Sequence, residues 1–394
     1  MMHKPTPKLI ALLTAAAFFA FFVFGFTDNL KGPTLPALLA DLKLTYSQGG
    51  TILFGAYVGF LLATLFNGIL SDVAGKKAPL LVAGACLALG IWGFSAFSNA
   101  GLLTAAMLVV GMGLGSIELG GNSFIVDLHP ERKGLMLNWL AVFHGVGSMA
   151  APIFAGRMLE AGQSWRAVYR WDWLLVGLLL AVFWLVRYPR PKVTHTTKIN
   201  FAGLRQTAFT TEMGWFYFAI GVYVAVEIGV AAWIVEFLQK THAQSVAAST
   251  TALSVFFLMV TVGRLAGSFF IERLGYLRSV LIATTGAGVT IALGVFGPSG
   301  FSFFLPLSGF FASIIFPTLT AEVSDRHQEN MGAILGLLFT FAGVGGMLGP
   351  WLIGVGSDLW GIQLGFATNV AFCTLLALAI IVLMRFKSLE RKSS

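Results

Sequence analysis

The sequence predicts an all-α membrane protein: twelve transmembrane helices in two pseudo-symmetric halves of six. Three observations lead there. The 394-residue chain is 57% hydrophobic and 11% charged, with a mean hydropathy of +0.83, far outside the range of a soluble globular domain. Apolar runs of about twenty residues recur along its whole length, and they are continuous rather than alternating at period two, which excludes a β-barrel. The longest polar stretch, Arg187 to Thr211, divides six runs from six. A net charge of +8 does not point to nucleic acid, because the charges cluster in short loops between apolar spans, the pattern that encodes topology.

In order, the first six spans are expected over residues 9–38, 47–70, 78–98, 101–127, 134–159 and 168–187. The first follows Lys4 and Lys8 but is longer than a secretory signal core, and further spans follow, so it reads as a transmembrane helix. It is too long to cross straight, and Gly32, Pro33 and Pro36 are expected to bend or break it near its outer end. The fourth contains Gly111, Gly113, Gly115, Gly120 and Gly121, which strip bulk from the helix and permit close backbone approach. The last six spans are expected over 212–238, 248–271, 276–297, 301–322, 331–355 and 362–385. The division is therefore an N-terminal half over 1–187, a linker over 188–211 and a C-terminal half over 212–394.

With the amino terminus in the cytoplasm, all but six of the 25 Lys and Arg residues fall at that side; the exceptions are Lys31, Lys43, Arg157, Arg166, Arg170 and Lys240. Both termini are thus expected to be cytoplasmic. The two cysteines, Cys86 and Cys373, lie inside spans and read as free buried thiols. No metal-ligand or lipidation spacing is present, so neither cofactor nor metal is expected.

Glu118 stands inside the apolar run Met107 to Val126. A carboxylate at that depth costs about 2.5–3.5 kcal/mol on insertion scales, so it is rarely kept there without a task. Asn122 lies four residues on, hence on the same helix face. Glu227 lies one turn after Tyr223 in the seventh span, and Asp28 and Asn29 lie in the first.

After the second span comes Gly68-Ile-Leu-Ser-Asp72-Val-Ala-Gly75-Lys76-Lys77, and a weaker copy, Glu272-Arg273-Leu-Gly275-Tyr-Leu-Arg278, follows the eighth, with Ser268 where the first copy has Gly68. This resembles the loop signature of the major facilitator superfamily, in which a glycine turn places an acid and basic residues where they latch facing helices. The resemblance implies the major facilitator fold and a cytoplasmic gate formed by Gly68, Asp72, Gly75, Lys76, Lys77, Arg264, Glu272 and Arg273.

Four segments resemble, more narrowly, the fucose–glucose/galactose:proton symporter family and its sodium-dependent glucose transporter relatives. They are Glu118-Leu-Gly-Gly-Asn122; Leu137-Asn138 with Phe143-His144-Gly145-Val-Gly147; Tyr223-Val-Ala-Val-Glu227-Ile-Gly229 with Trp233; and Asp28-Asn29-Leu30 with Pro36. His144 stands where that family has asparagine, and Gly32 where its fucose branch has an aspartate. The resemblance implies a substrate site of Asn29, Glu118, Asn122, His144, Glu227 and Trp233, with Asp28 and Glu118 as proton-coupling acids.

Each residue also has a plainer reading. Glu118 can be a hydrogen-bonded structural acid, Asp28 can pair with nearby Lys31, and His144 can be a satisfied interior histidine. Asn138 reads as a cap or helix cross-link, and Arg264 either pairs with Glu227 or serves the gate. Most of the ten Trp and 36 Phe must face lipid, which weighs against Trp233, and Gln363 and Asn369 are weaker site candidates still.

The function expected is import of a monosaccharide, a hexose or deoxyhexose, by proton symport through alternating access in the inner membrane of a bacterium, by a monomer. A potential of 100 mV supplies about 2.3 kcal/mol per charge, enough for roughly fifty-fold accumulation. Sodium coupling is one alternative. A drug/proton antiporter is another, since Gly145-Val-Gly147…Pro152…Gly156 and Gly345-Gly346-Met-Leu-Gly349-Pro350…Gly354 resemble the antiporter bend, although Ala151 replaces the glycine before the first proline. A non-transporting sensor is disfavoured for want of a long extension, and an enzyme for want of nucleophile, base or metal spacing.

Overall fold

The structure is a computed structural model that describes residues 7–75, 77–185, 207–267, 269–326 and 331–393. Most of the expected linker therefore lies outside the described residues, as does Lys76; Gly68 and Asp72 are described only as helical backbone. Twelve helical spans are long and apolar enough to cross a membrane, at Pro7–Leu42, Tyr46–Asn67, Lys77–Ala96, Ala100–Leu128, Lys133–Glu160, Trp165–Leu185, Thr211–His242, Val246–Gly267, Tyr276–Phe296, Ser299–Arg326, Met331–Trp360 and Ile362–Lys387. The chain is a multi-pass helical membrane protein.

Two spans are broken, each four residues before a proline. The first is two helices, Pro7–Asp28 and Lys31–Leu42. The break falls at Asn29–Leu30 rather than at the expected Gly32–Pro36, because the ring of Pro33 conflicts with the carbonyl of Asn29 and supplies no N–H to it. Pro36 is carried inside the second helix. The tenth span, expected as continuous, is Phe304–Ala312 and Ile315–Arg326, parted at Ser313 by Pro317 in the same way.

The chain packs as two compact units, Met1–Leu44 with Thr51–His195, and Thr45–Gly50 with Thr196–Ser394. In the first unit the first span packs on the fifth and fourth, and the third on the fourth and sixth. In the second unit the seventh packs on the eleventh and twelfth, and the ninth on the tenth and twelfth. Three of these four pairings recur six spans later, and one differs: the first span packs on the fourth where the seventh packs on the twelfth.

Glycine makes these crossings close. A Cβ at Gly25 would meet the His144 carbonyl, and one at Gly147 the Phe22 carbonyl, so the first and fifth spans touch backbone to backbone. The seventh and eleventh do so at Gly345 against Gly221 and Gly349 against Ala225. The glycine–proline stretches that resemble an antiporter bend thus serve helix crossing, with Pro152 and Pro350 inside continuous helices. In the fourth span the glycines face three neighbours: Gly111 and Gly115 the second span, Gly113 and Gly120 the third, and Gly121 the ring of Phe21.

Polar groups close the second unit at two places. The carboxylate of Asp358 accepts the N–H groups of Tyr46 and Ser47 at 2.8 Å each, satisfying otherwise unpaired donors at the start of that helix. Buried Glu322 accepts from Arg326 at 2.6 Å and Lys387 at 2.7 Å, and Arg326 also pairs with Glu212, which joins the seventh, tenth and twelfth spans. Cys86 and Cys373 are free thiols.

Gly111→Val would drive two methyl groups toward the Ala56 backbone, where no rotamer relieves the overlap. The expected result is a loss of about 1–3 kcal/mol of stability, read as a lower unfolding temperature in detergent. Gly134→Val, at a position with open space, should leave that temperature unchanged.

Candidate functional site

In the first unit the fourth span brings Glu118 and Asn122 together. The Asn122 amide donates to Glu118 Oε1 at 3.0 Å, and both side chains are half-buried. The glycines before Glu118 and between it and Asn122 let the helix pack tightly on three sides. The first span adds Asn29 beside its break, with the amide donating to the Gly25 carbonyl and to Ser148 Oγ, each at 2.9 Å. Both amide protons are spent, so the side-chain carbonyl is the group left to receive a hydroxyl. His144 on the fifth span sets its ring edge-on to Phe24 at 4.6 Å, and Phe24 stacks near Phe60 at 6.4 Å.

Asp28 is paired. Lys31 donates to its Oδ1 at 2.6 Å, and the same ammonium lies 4.9 Å from the Tyr57 ring centre. The side chains are only 10% (Lys31) and 20% (Asp28) exposed, so each charge is the other's principal solvation. The plainer reading of Asp28 is the one the geometry realises.

In the second unit half-buried Glu227 lies one turn from buried Tyr223, and the guanidinium of Arg264 on the eighth span is near enough for its charge to act on both. Trp233 is 0% exposed. Its indole N–H donates to the Pro350 carbonyl at 2.9 Å and its ring meets Tyr46 edge-on, so it presents no open face for a sugar. Asn369 is wholly buried, and Gln363 donates to the Val295 carbonyl at 3.0 Å.

Of the residues expected at the gate, Gly75 adopts a positive φ of +80°, and Gly275 in the second copy of the motif one of +82°, as their turns require. Lys77 donates to the Trp184 carbonyl at 2.9 Å, near the end of the sixth span. Glu272, Arg273 and Arg264 are exposed.

Among the described residues three buried acids are not singled out by the sequence: Glu322, which two cations meet, and Asp172 on the sixth span and Glu236 on the seventh, 1% and 2% exposed. Thr27 donates to Asp172 at 2.9 Å and Tyr46 to Glu236 at 3.2 Å. Each is a lone acid in an apolar run, the signal that singled out Glu118, but each lies near a polar helix end and was passed over there.

Twelve apolar spans, two similarly paired six-span units and half-buried polar pairs inside them define a multi-pass helical carrier fold. A sequence profile of the Major Facilitator Superfamily matches residues 17–234 and 216–394, and the chain belongs to that superfamily. It is similar to the L-fucose-proton symporter of Escherichia coli (strain K12), 28% identical over 143 residues, 35% of this chain and 33% of that protein. It is also similar to sodium-dependent glucose transporter 1 of Rattus norvegicus, 28% identical over 136 residues, 34% of this chain and 28% of that protein. Each matched stretch thus spans about a third of the relative's length. The crystal structure of the nucleoside transporter NupG superposes with a TM-score of 0.78 at 14% identity, covering 96% of this chain and 99% of that one, a likeness of fold.

Lys31→Ala would leave Asp28 partly buried and unpaired. It should lower stability by about 3 kcal/mol, whereas the double variant Lys31→Met with Asp28→Asn should recover most of the loss. Unfolding temperatures of the wild type, Lys31→Met, Asp28→Asn and the double variant in one detergent close the cycle.

Proposed function

We propose that the chain is a secondary transporter that imports a monosaccharide, a hexose or deoxyhexose, with protons by alternating access. The observation that carries the reading is the Glu118–Asn122 pair, an intramembrane acid and amide on one face of a glycine-packed helix. The similarity to an L-fucose-proton symporter and a sodium-dependent glucose transporter supports sugar as the cargo class.

The chemistry follows from what each group has left to offer. Glu118 Oε1 accepts a hydrogen bond from the Asn122 amide, so Oε2 and the Asn122 carbonyl remain as acceptors for neighbouring hydroxyls of a pyranose ring. Asn29 adds a carbonyl held in place by two donated bonds. His144 on the fifth span completes the proposed polar set of the first unit, and Glu227 on the seventh is proposed as a substrate-binding acid of the second. A polyol that satisfies such groups is favoured over an analogue that leaves them unpaired. Trp233 is left out of this set because its ring is enclosed. Asp28 stays in it only as the partner that fixes Lys31.

Transport would proceed by alternating access in the cytoplasmic membrane of a bacterium, with both termini inside. Sodium coupling is the second reading, favoured by the glucose transporter relative. Efflux of apolar cations draws support only from the many phenylalanines of the first unit, such as Phe18, Phe21, Phe24 and Phe60.

Uptake of labelled glucose, galactose and fucose into proteoliposomes tests the reading. An inward proton gradient should raise accumulation of at least one of them; expulsion of hydrophobic cations with no sugar uptake would sink it. Glu118→Gln should abolish accumulation against a gradient or weaken sugar binding by more than tenfold. Asn122→Ala should weaken binding by about tenfold with coupling intact, as read from counterflow and gradient-driven uptake compared side by side.

A further inference from the structure

Among the described residues Asp172 is the most deeply buried acid of the first unit, and the proposed sugar site does not use it. One carboxylate oxygen accepts the Thr27 hydroxyl; the other, Oδ2, has no hydrogen-bond partner. No ion pair among the described residues includes it. The basic groups of the surrounding helices are committed or turned away. On the first span Lys31 is held by Asp28, and on its own span Arg166 is held by Asp41 while Arg170 is exposed. The third span, packed on the sixth, brings only Lys77, bonded to the Trp184 carbonyl, and Cys86. The fifth brings His144 against Phe24, with Arg157 and Glu160 exposed at the end leading into the sixth span and Lys133 exposed at the other. Tyr169, one turn before Asp172, shares a hydrogen bond with Thr34 at 3.3 Å.

A bare carboxylate so enclosed is costlier than a paired one, so something small must meet its charge. The neighbouring backbone suits that task. Thr27 stands two residues before the break in the first span, where the Leu30 N–H reaches back to the Thr27 carbonyl at only 3.4 Å and Pro33 leaves Asn29 C=O without its helical donor. Interrupted helices with unspent carbonyls beside an acid are the chemistry by which carriers hold coupling ions.

We infer that Asp172, with Thr27 and the interrupted backbone after it, seats a small monovalent cation, a proton or a sodium ion, inside the first unit. The inference rests on the reading of the chain as an ion-coupled carrier, and it moves the coupling ion away from Asp28, whose charge Lys31 already meets. A proton would sit covalently on Oδ2. A sodium ion would be held by the carboxylate, the Thr27 hydroxyl and backbone carbonyls. Either way the acid is neutral when occupied and charged when vacated, and the vacated form needs water to reach it.

The test uses the purified full-length protein, with Asp172→Asn, which keeps the shape, and Thr27→Val, which keeps the acid. Infrared difference spectra between acidic and alkaline buffer read the proton arm: a deuterium-sensitive carboxylic C=O band in the wild type that vanishes in Asp172→Asn. Unfolding temperature in sodium chloride against choline chloride reads the sodium arm: a rise in the wild type that Asp172→Asn lacks. Thr27→Val should shift the titration midpoint of whichever arm responds by about tenfold. An Asp172→Asn protein with the wild-type band and sodium response overturns the inference. So does an unshifted Thr27→Val should the asparagine variant not fold. Neither readout needs a sugar, so failed sugar uptake and a failed cation site remain separate results.

Discussion

Everything in this chain depends on helices touching backbone to backbone in a medium without water. Between apolar spans there is no hydrophobic gain to be had from excluding lipid, so contact area and close packing must supply the cohesion. Glycine provides both. At Gly25 and Gly147 the first and fifth spans meet with no side chain between them, and Gly345 and Gly349 do the same for the seventh and eleventh. The same crossings position the candidate site: Asn29 reaches Ser148 only because Gly25 lets the fifth span in.

That tight packing makes every interior polar group a matter of partners. Glu118 has Asn122, Asp28 has Lys31, and Glu322 has two cations, while Glu227 lies within reach of the charge of Arg264. Asp172 and Glu236 have one hydroxyl each and an oxygen to spare. Acids whose charge is fully met give a structure rigidity; an acid with a free oxygen and no cation is where a carried ion can come and go. The broken first span sits beside both kinds, Asp28 and Asp172, and supplies the irregular backbone that membrane helices tolerate only where it has polar work.

The fold was legible because each of its causes is local. Twelve apolar runs, the two glycine turns at Gly75 and Gly275, and the repetition of the pattern after six spans all follow from composition and spacing. The break in the first span was legible in kind and misplaced by a few residues, since a proline disrupts the carbonyl four residues before it rather than its own position. The break in the tenth at Ser313 follows the same rule from Pro317 and was missed.

The candidate site was legible only in part. The i, i+4 spacing of Glu118 and Asn122 forces them onto one face, so the sequence alone determined that pair, and with it the superfamily motifs and the number of spans. Which charge meets which across helices, the enclosure of Trp233 against Pro350, and the solitude of Asp172 were decided by tertiary structure. The reason is physical: whether a buried acid is spent or free depends on a side chain more than a hundred residues away, and spacing along one helix carries no record of it.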